Sequence, residues 1–229
     1  MTTRSLSRPE VSADARAQFI HRTYGHLFGA ILVFVAFEAA LFGSGIADRM
    51  ARAMMQVPWG LILGAFLLIA WFATRLAHRM ESRSVQYLGL GTYIVAKGVI
   101  FVPLLYRAER VADGLINQAA QVTLLGALGL TIVAFSVKND FSSLRPYLYW
   151  GGTVALILIV AALVFGFRLG TWFSVGMIAL SGGSILYDTA KIARRYRGDQ
   201  YVGAALGLFA SIGMMFWYVL RLFTRAQRG

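Results

Sequence analysis

A few ionisable side chains stand where a long apolar run should not carry them, and they are the places where chemistry could be done. Asp188 ends the apolar run in "GGSILYDTAKIARRYRG", residues 182–198, just before a basic loop. A carboxylate there can accept hydrogen bonds, pair with a guanidinium, or offer oxygen to a hard cation such as Ca²⁺. Ser181, Ser184 and Asp188 follow at spacings of three and four, so a helix puts them on one face. Arg75 closes a second apolar run, "LILGAFLLIAWFATR". If the two runs lie side by side, Arg75 and Asp188 come to the same level and a salt bridge can form. The plainer alternative is that Asp188 is a helix-end charge balanced by the basic residues after it.

Glu38 and Lys97 form the second candidate pair, each deep inside an apolar run. An ionisable group at such depth costs about 2.5–3.5 kcal/mol to insert, so it needs a partner or a purpose. Three readings stay open: a structural ion pair, a Lys97 side chain that snorkels along its stem to water, or groups on an ion path. On a cation path Lys97 would be an obstacle. Other chemistry has no motif: there is no nucleophile with its base, no paired carboxylates at short spacing, no phosphate loop and no His-x-x-x-His pair. His21, His26 and His78 are scattered near the ends of apolar runs, and there is no cysteine.

The elements that must position these groups are set by composition. Of 229 residues, 58% are hydrophobic and the mean hydropathy is +0.65. The apolar residues gather in blocks of the length needed to cross ~30 Å of hydrocarbon. Such runs are continuous, not alternating, and so predict helices and not a barrel. Seven spans are expected, over residues 24–42, 58–74, 85–105, 115–137, 147–167, 172–187 and 201–223. The fold class is therefore an all-α polytopic membrane protein with the lipid bilayer as its surroundings. A polar N-terminal arm takes residues 1–23, the seven-helix domain 24–223 and a basic tail 224–229. The last span carries Gly203, Gly207 and Ser211 at spacing four, a small face that lets neighbouring helices approach closely. Phe216, Trp217 and Tyr218 lie on its other side. Trp59, Trp150, Trp172 and Tyr201 fall near span ends, where amphipathic rings favour the interface.

The formal net charge is +12. The basic residues sit beside apolar spans, so they point to topology and not to nucleic acid. Thirteen lie in the loops on the N-terminal side (Arg4, Arg8, Arg16, Arg22, Arg75, Arg79, Arg83, Lys138, Arg145, Lys191, Arg194, Arg195, Arg197). Eight lie opposite (Arg49, Arg52, Arg107, Arg110, Arg168, Arg221, Arg225, Arg228). The N-terminus is expected in the cytoplasm. No cleavable signal peptide is expected, because the opening residues have no short apolar core.

With these residues in view, the chain resembles the Bax inhibitor-1 family, in its bacterial YccA/YetJ-like branch. The resemblance runs from Phe19 to Phe223. It is carried by "ILYDTAKI", by "ALGLFASIGMMFWYVLRLF", and by "FIHRTYGHLF", "KNDFSSL" and the Arg75 position. It implies seven helices with the last one central, and a pH-sensitive Ca²⁺ leak gated by two aspartates and an arginine. Asp188 matches the first aspartate and Arg75 the arginine. Ser211 stands where the second aspartate would be. Two close carboxylates share a proton, whereas one carboxylate beside a guanidinium stays ionised. The resemblance therefore implies a cation leak with an Asp188–Arg75 latch and an altered sensor, along a seam with Ser181, Ser184 and Ser211. It implies a bacterial inner-membrane location, no enzymatic activity and no cofactor, with Ca²⁺ as the transported ion and Asp188 as its ligand. The alternative it implies is a non-conducting protein that binds a membrane protease or another membrane partner through the N-terminal arm.

Overall fold

The computed structural model describes residues 13–79, 82–137, 141–194 and 200–227. Residues 1–12, with Arg4 and Arg8, lie outside the described residues, as do Lys138, Arg195, Arg197 and Arg228. Eight α-helices and one short 3-10 turn (Phe141–Ser143) follow in order, with no strand among the described residues. The helices are α1 (Ala13–Gly43), α2 (Ile46–Met55), α3 (Trp59–Ala77), α4 (Arg83–Glu109), α5 (Leu115–Ser136), α6 (Leu144–Phe165), α7 (Thr171–Arg194) and α8 (Tyr201–Ala226). Each of the seven expected spans coincides with a long helix, and six of these helices qualify as membrane-crossing. Helix α1 begins at Ala13, so its first turns precede the expected span.

Six of the helices are long and apolar enough to cross a membrane: α1, α3, α4, α5, α6 with its preceding turn, and α8. Helix α7 is long enough, at 24 residues, but its composition is weaker. Ser174, Ser181, Ser184, Asp188 and three glycines dilute its apolar residues. A helix wrapped by other helices can carry such residues, because its polar groups face protein instead of lipid. Helix α7 packs against α5, α6 and α8, and Ser174 and Ser181 are buried.

Helix α8 lies at the centre, packed against α1, α3, α4, α5 and α7. It shares that place with α4. In the most apolar stretch of α4, 61% is buried, and in that of α8, 50%, against 22% or less in α1, α3, α5 and α6. The small residues explain how. A Cβ on Gly203 would lie 2.9 Å from the His78 ring and 3.1 Å from the Ala77 carbonyl oxygen, so α8 crosses the end of α3 there. On the far half of α8, Phe216 stacks on Phe101 of α4 at 5.6 Å. Trp217 meets Phe101 edge-on at 5.0 Å and stacks on Trp59 at 6.0 Å. Helices α3 and α4 meet as closely at Gly89, between Ala73 and Ala77.

Helix α2 is absent from the sequence-based expectation. The segment Ile46–Met55 carries Asp48, Arg49 and Arg52, which is the composition of a charged loop. Its alanines at spacing four, Ala47 and Ala51, are buried against Val102 and Tyr106 of α4. Asp48 pairs with Arg110 at 3.8 Å on the exposed side. Its pattern is that of a helix lying flat at an interface. Trp150 and Trp172 are exposed near the starts of α6 and α7, as expected for interfacial rings. Tyr201 is instead buried, beside the His26 ring at 5.0 Å. Helix α6 is the least protected, with 6% of its apolar stretch buried. It leans on α7 through two glycines: a Cβ on Gly151 would lie 2.8 Å from Leu180, and one on Gly183 3.0 Å from Leu148.

Candidate functional site

Asp188 sits in the last third of α7, half-buried, facing α8. The Ser211 hydroxyl donates to its Oδ2 at 3.4 Å. Gly207, one turn earlier on α8, leaves room for the same oxygen, which lies 3.7 Å from where a Cβ would stand. The small face of α8 thus does two jobs: Gly203 receives α3, and Gly207 and Ser211 receive the carboxylate of α7. The neighbouring turn is tied to α1, where the Tyr24 hydroxyl donates to Thr189 at 3.4 Å. The Arg16 guanidinium donates to the Ala193 carbonyl oxygen near the end of α7.

The expected Asp188–Arg75 salt bridge is not formed. Arg75 is exposed, and its guanidinium lies over the Trp71 ring at 4.0 Å. The physical reason is azimuth. Ala73 and Ala77 face α4 from α3, and at 100° per residue Arg75 points about 160–200° away from them. Helix α3 reaches α8 but does not pack on α7. The basic groups whose charge acts on Asp188 are Lys191, one turn further along α7, and His78. Lys191 is among the basic residues of the plainer sequence alternative; His78 was missed, although at the end of α3 it was open to the same level argument as Arg75.

The serine seam is also narrower than expected. The Ser181 hydroxyl donates to the Met177 carbonyl oxygen at 2.7 Å and that of Ser184 to Leu180 at 3.0 Å. Both protons serve their own helix, and only Ser211 turns its hydroxyl to Asp188. Among the described residues no cluster of three or more His, Cys, Asp or Glu is placed to hold a metal ion. Asp188 and Ser211 supply a carboxylate and a hydroxyl, where Ca²⁺ takes six to eight oxygens.

Glu38 and Lys97 reach one cavity but do not pair. Both are buried, at 7% and 5% exposure. The Lys97 ammonium donates to the Ala210 carbonyl oxygen of α8 at 2.9 Å. It lies 5.4 Å and 5.6 Å from the centres of the Tyr93 and Phe209 rings. Gly213 permits this: a Cβ there would lie 2.3 Å from Lys97 Cε. The stem therefore crosses α8 where a side chain is missing, and the ammonium goes to α8 and not to α1. Both Glu38 oxygens are buried with no hydrogen-bond partner.

The comparisons with known proteins come to the same kind of molecule. Residues 16–228 match the family described as "Inhibitor of apoptosis-promoting Bax1". The chain is 27% identical to Protein LIFEGUARD 4 of Arabidopsis thaliana, over 94% of this chain and 88% of that one. It is 27% identical to Bax inhibitor 1 of Schizosaccharomyces pombe, over 95% of this chain and 80% of that one. An uncharacterized protein of Neisseria meningitidis serogroup A is 25% identical, over 89% of this chain and 88% of its own.

Proposed function

The chain belongs to the Bax inhibitor-1 family of membrane proteins, and on that premise we propose that it is a passive cation leak, with Ca²⁺ as the ion, controlled at Asp188. The observation that carries this reading is the carboxylate itself: Asp188 lies between α7 and α8, held by one long hydroxyl contact and by no arginine among the described residues. A half-buried carboxylate so lightly held is available to a cation arriving between the helices. Control then belongs to the contact of Asp188 with Ser211, beside Lys191 and His78, and not to an Asp188–Arg75 latch. We place the protein in a bacterial inner membrane with its N-terminus in the cytoplasm, on the loop charges and the bacterial relative.

Ca²⁺ entry into liposomes bearing the purified protein tests this. Asp188→Asn is expected to cut the initial rate about tenfold, since it removes the carboxylate from the α7–α8 contact. Arg75→Gln is expected to leave the rate within about twofold, as an exposed charge contributes little. Equal rates in wild type and Asp188→Asn would sink the reading.

A second reading is favoured by Lys97, whose ammonium is buried on the central helix. In that reading the protein does not conduct and binds a membrane protease or another membrane partner through the arm before α1. Deleting residues 2–12 is then expected to abolish co-purification of the partner. Under the leak reading the same deletion leaves Ca²⁺ entry intact.

A further inference from the structure

Helices α1 and α5 touch at one end, where the Tyr24 and Phe135 rings lie 6.0 Å apart, and their backbones stand apart along the rest of their length. Between them lies a cavity of about 430 Å³, floored by α4 and α8. Its volume falls within the ordinary range of small-molecule sites. It runs from the rim made by Glu109, at the end of α4, and Asn117, at the start of α5, inward to Lys97. Most of its lining is apolar, with Phe42, Leu105, Ile116 and Leu124 among the walls. Glu38 stands on this wall, buried, with neither carboxylate oxygen bonded.

An unbonded buried carboxyl is costly, and a ligand that pairs with it would offset that cost. The charge balance of the cavity says which ligand. Its titratable side chains are Glu38, Glu109 and Lys97. The ammonium of Lys97 is already engaged by the Ala210 carbonyl oxygen and flanked by two rings. What remains is acidic, and the walls are apolar. An inorganic cation would find one buried carboxylate and too few oxygens to replace its water. An organic cation brings its own apolar body.

We propose that the cavity between α1 and α5 binds an amphiphilic amine, its ammonium on Glu38 and its hydrocarbon part against the walls of α1 and α5. An ammonium entering beside a carboxylate, or a neutral amine taking the proton from a carboxyl, ends as the same pair. Glu109 at the exposed rim attracts the cation on its way in. The site is separate from Asp188 and does not depend on the leak reading.

The test is equilibrium dialysis of n-octylamine, n-octanol and n-octanoate against full-length protein in lipid nanodiscs, with empty nanodiscs of the same lipid subtracted. Octylamine is expected to show a saturable excess of one per protein, octanol to bind about tenfold more weakly, and octanoate to show no excess. Glu38→Gln is expected to bring octylamine down to the level of octanol and leave octanol unchanged. Lys97→Met, which removes the competing positive charge, is expected to tighten octylamine binding and guards against a misfolded Glu38 variant. Asp188→Asn is expected to change nothing here. Equal binding of octylamine and octanol by wild type would overturn the proposal. So would an amine excess that survives Glu38→Gln, or one lost in Lys97→Met.

Discussion

Gly89→Ala is expected to lower the unfolding free energy of the detergent-purified protein by about 3 kcal/mol. At this position a Cβ would lie 2.5 Å from the Ala77 backbone nitrogen and 2.6 Å from the Ala73 carbonyl oxygen. Both neighbours are backbone, so no rotamer change relieves the clash and α3 must move away from α4. That movement carries Ala77 and His78 with it, and these are the atoms that meet Gly203 of α8. One methyl group therefore loosens two helix contacts. Gly91 is the internal control. It lies two residues further along the same helix, is exposed, and has nothing within 4 Å of the place a Cβ would take. Gly91→Ala is expected to leave stability unchanged or raise it by about 0.5 kcal/mol through helix propensity. Thermal unfolding of both variants side by side is the measurement, and equal losses would refute the close crossing at Gly89.

Ser211→Asp has the second large effect. The hydroxyl it replaces is 3.4 Å from Asp188 Oδ2, so the new carboxylate meets an existing one. Two carboxylates in contact retain a proton that isolated carboxylates would have lost. The folded variant then binds more protons than the unfolded chain, and its stability must fall as pH rises through the titration of the pair. The expected loss, relative to wild type, is about 1–3 kcal/mol on the alkaline side and is absent well below neutrality. Combining it with Asp188→Asn removes the like-charge contact and with it the added pH dependence. Melting temperatures of wild type, the two single variants and the double variant across pH decide this. A Ser211→Asp variant that follows wild type at every pH would show that residue 211 does not face Asp188. Under the leak reading, Ca²⁺ entry through the same variant gains a matching pH dependence.

Much of the fold was legible because hydrocarbon thickness imposes a length on every crossing helix. The long runs stood out for that reason, and α8 announced its central place through Gly203, Gly207 and Ser211. Helix α2 was hidden because its signal is azimuthal: two alanines at spacing four inside a charged segment. The same distinction explains the site. Reasoning by depth put Arg75 near Asp188 and Glu38 near Lys97, and depth was sound for the second pair, which reach one cavity. Depth says nothing of direction around the helix axis. Ala73 and Ala77 hold the direction of α3 and turn Arg75 away. A missing side chain at Gly213 holds the direction of Lys97. In both cases a small residue on the helix decides where a large charged one goes. Sequence patterning reads the charge more readily than it reads the gap beside it.

Helix α6 is the long apolar helix most open to its surroundings. With 6% of its apolar stretch buried, nearly all of that stretch is left for lipid to cover. Its hold on the rest of the molecule rests on the pair of glycine contacts with Leu180 and Leu148, on Ala155 packed with Met177 and Tyr218, and on Leu163 beside Gly60 of α3. A thinner bilayer, a change in acyl packing or replacement of lipid by detergent is expected to act on α6 before it acts on the α4–α8 core. Helix α7, on which α6 leans, is also the helix that carries Asp188. Helix α6 thus joins the lipid-facing side of the bundle to the helix that carries the carboxylate between α7 and α8.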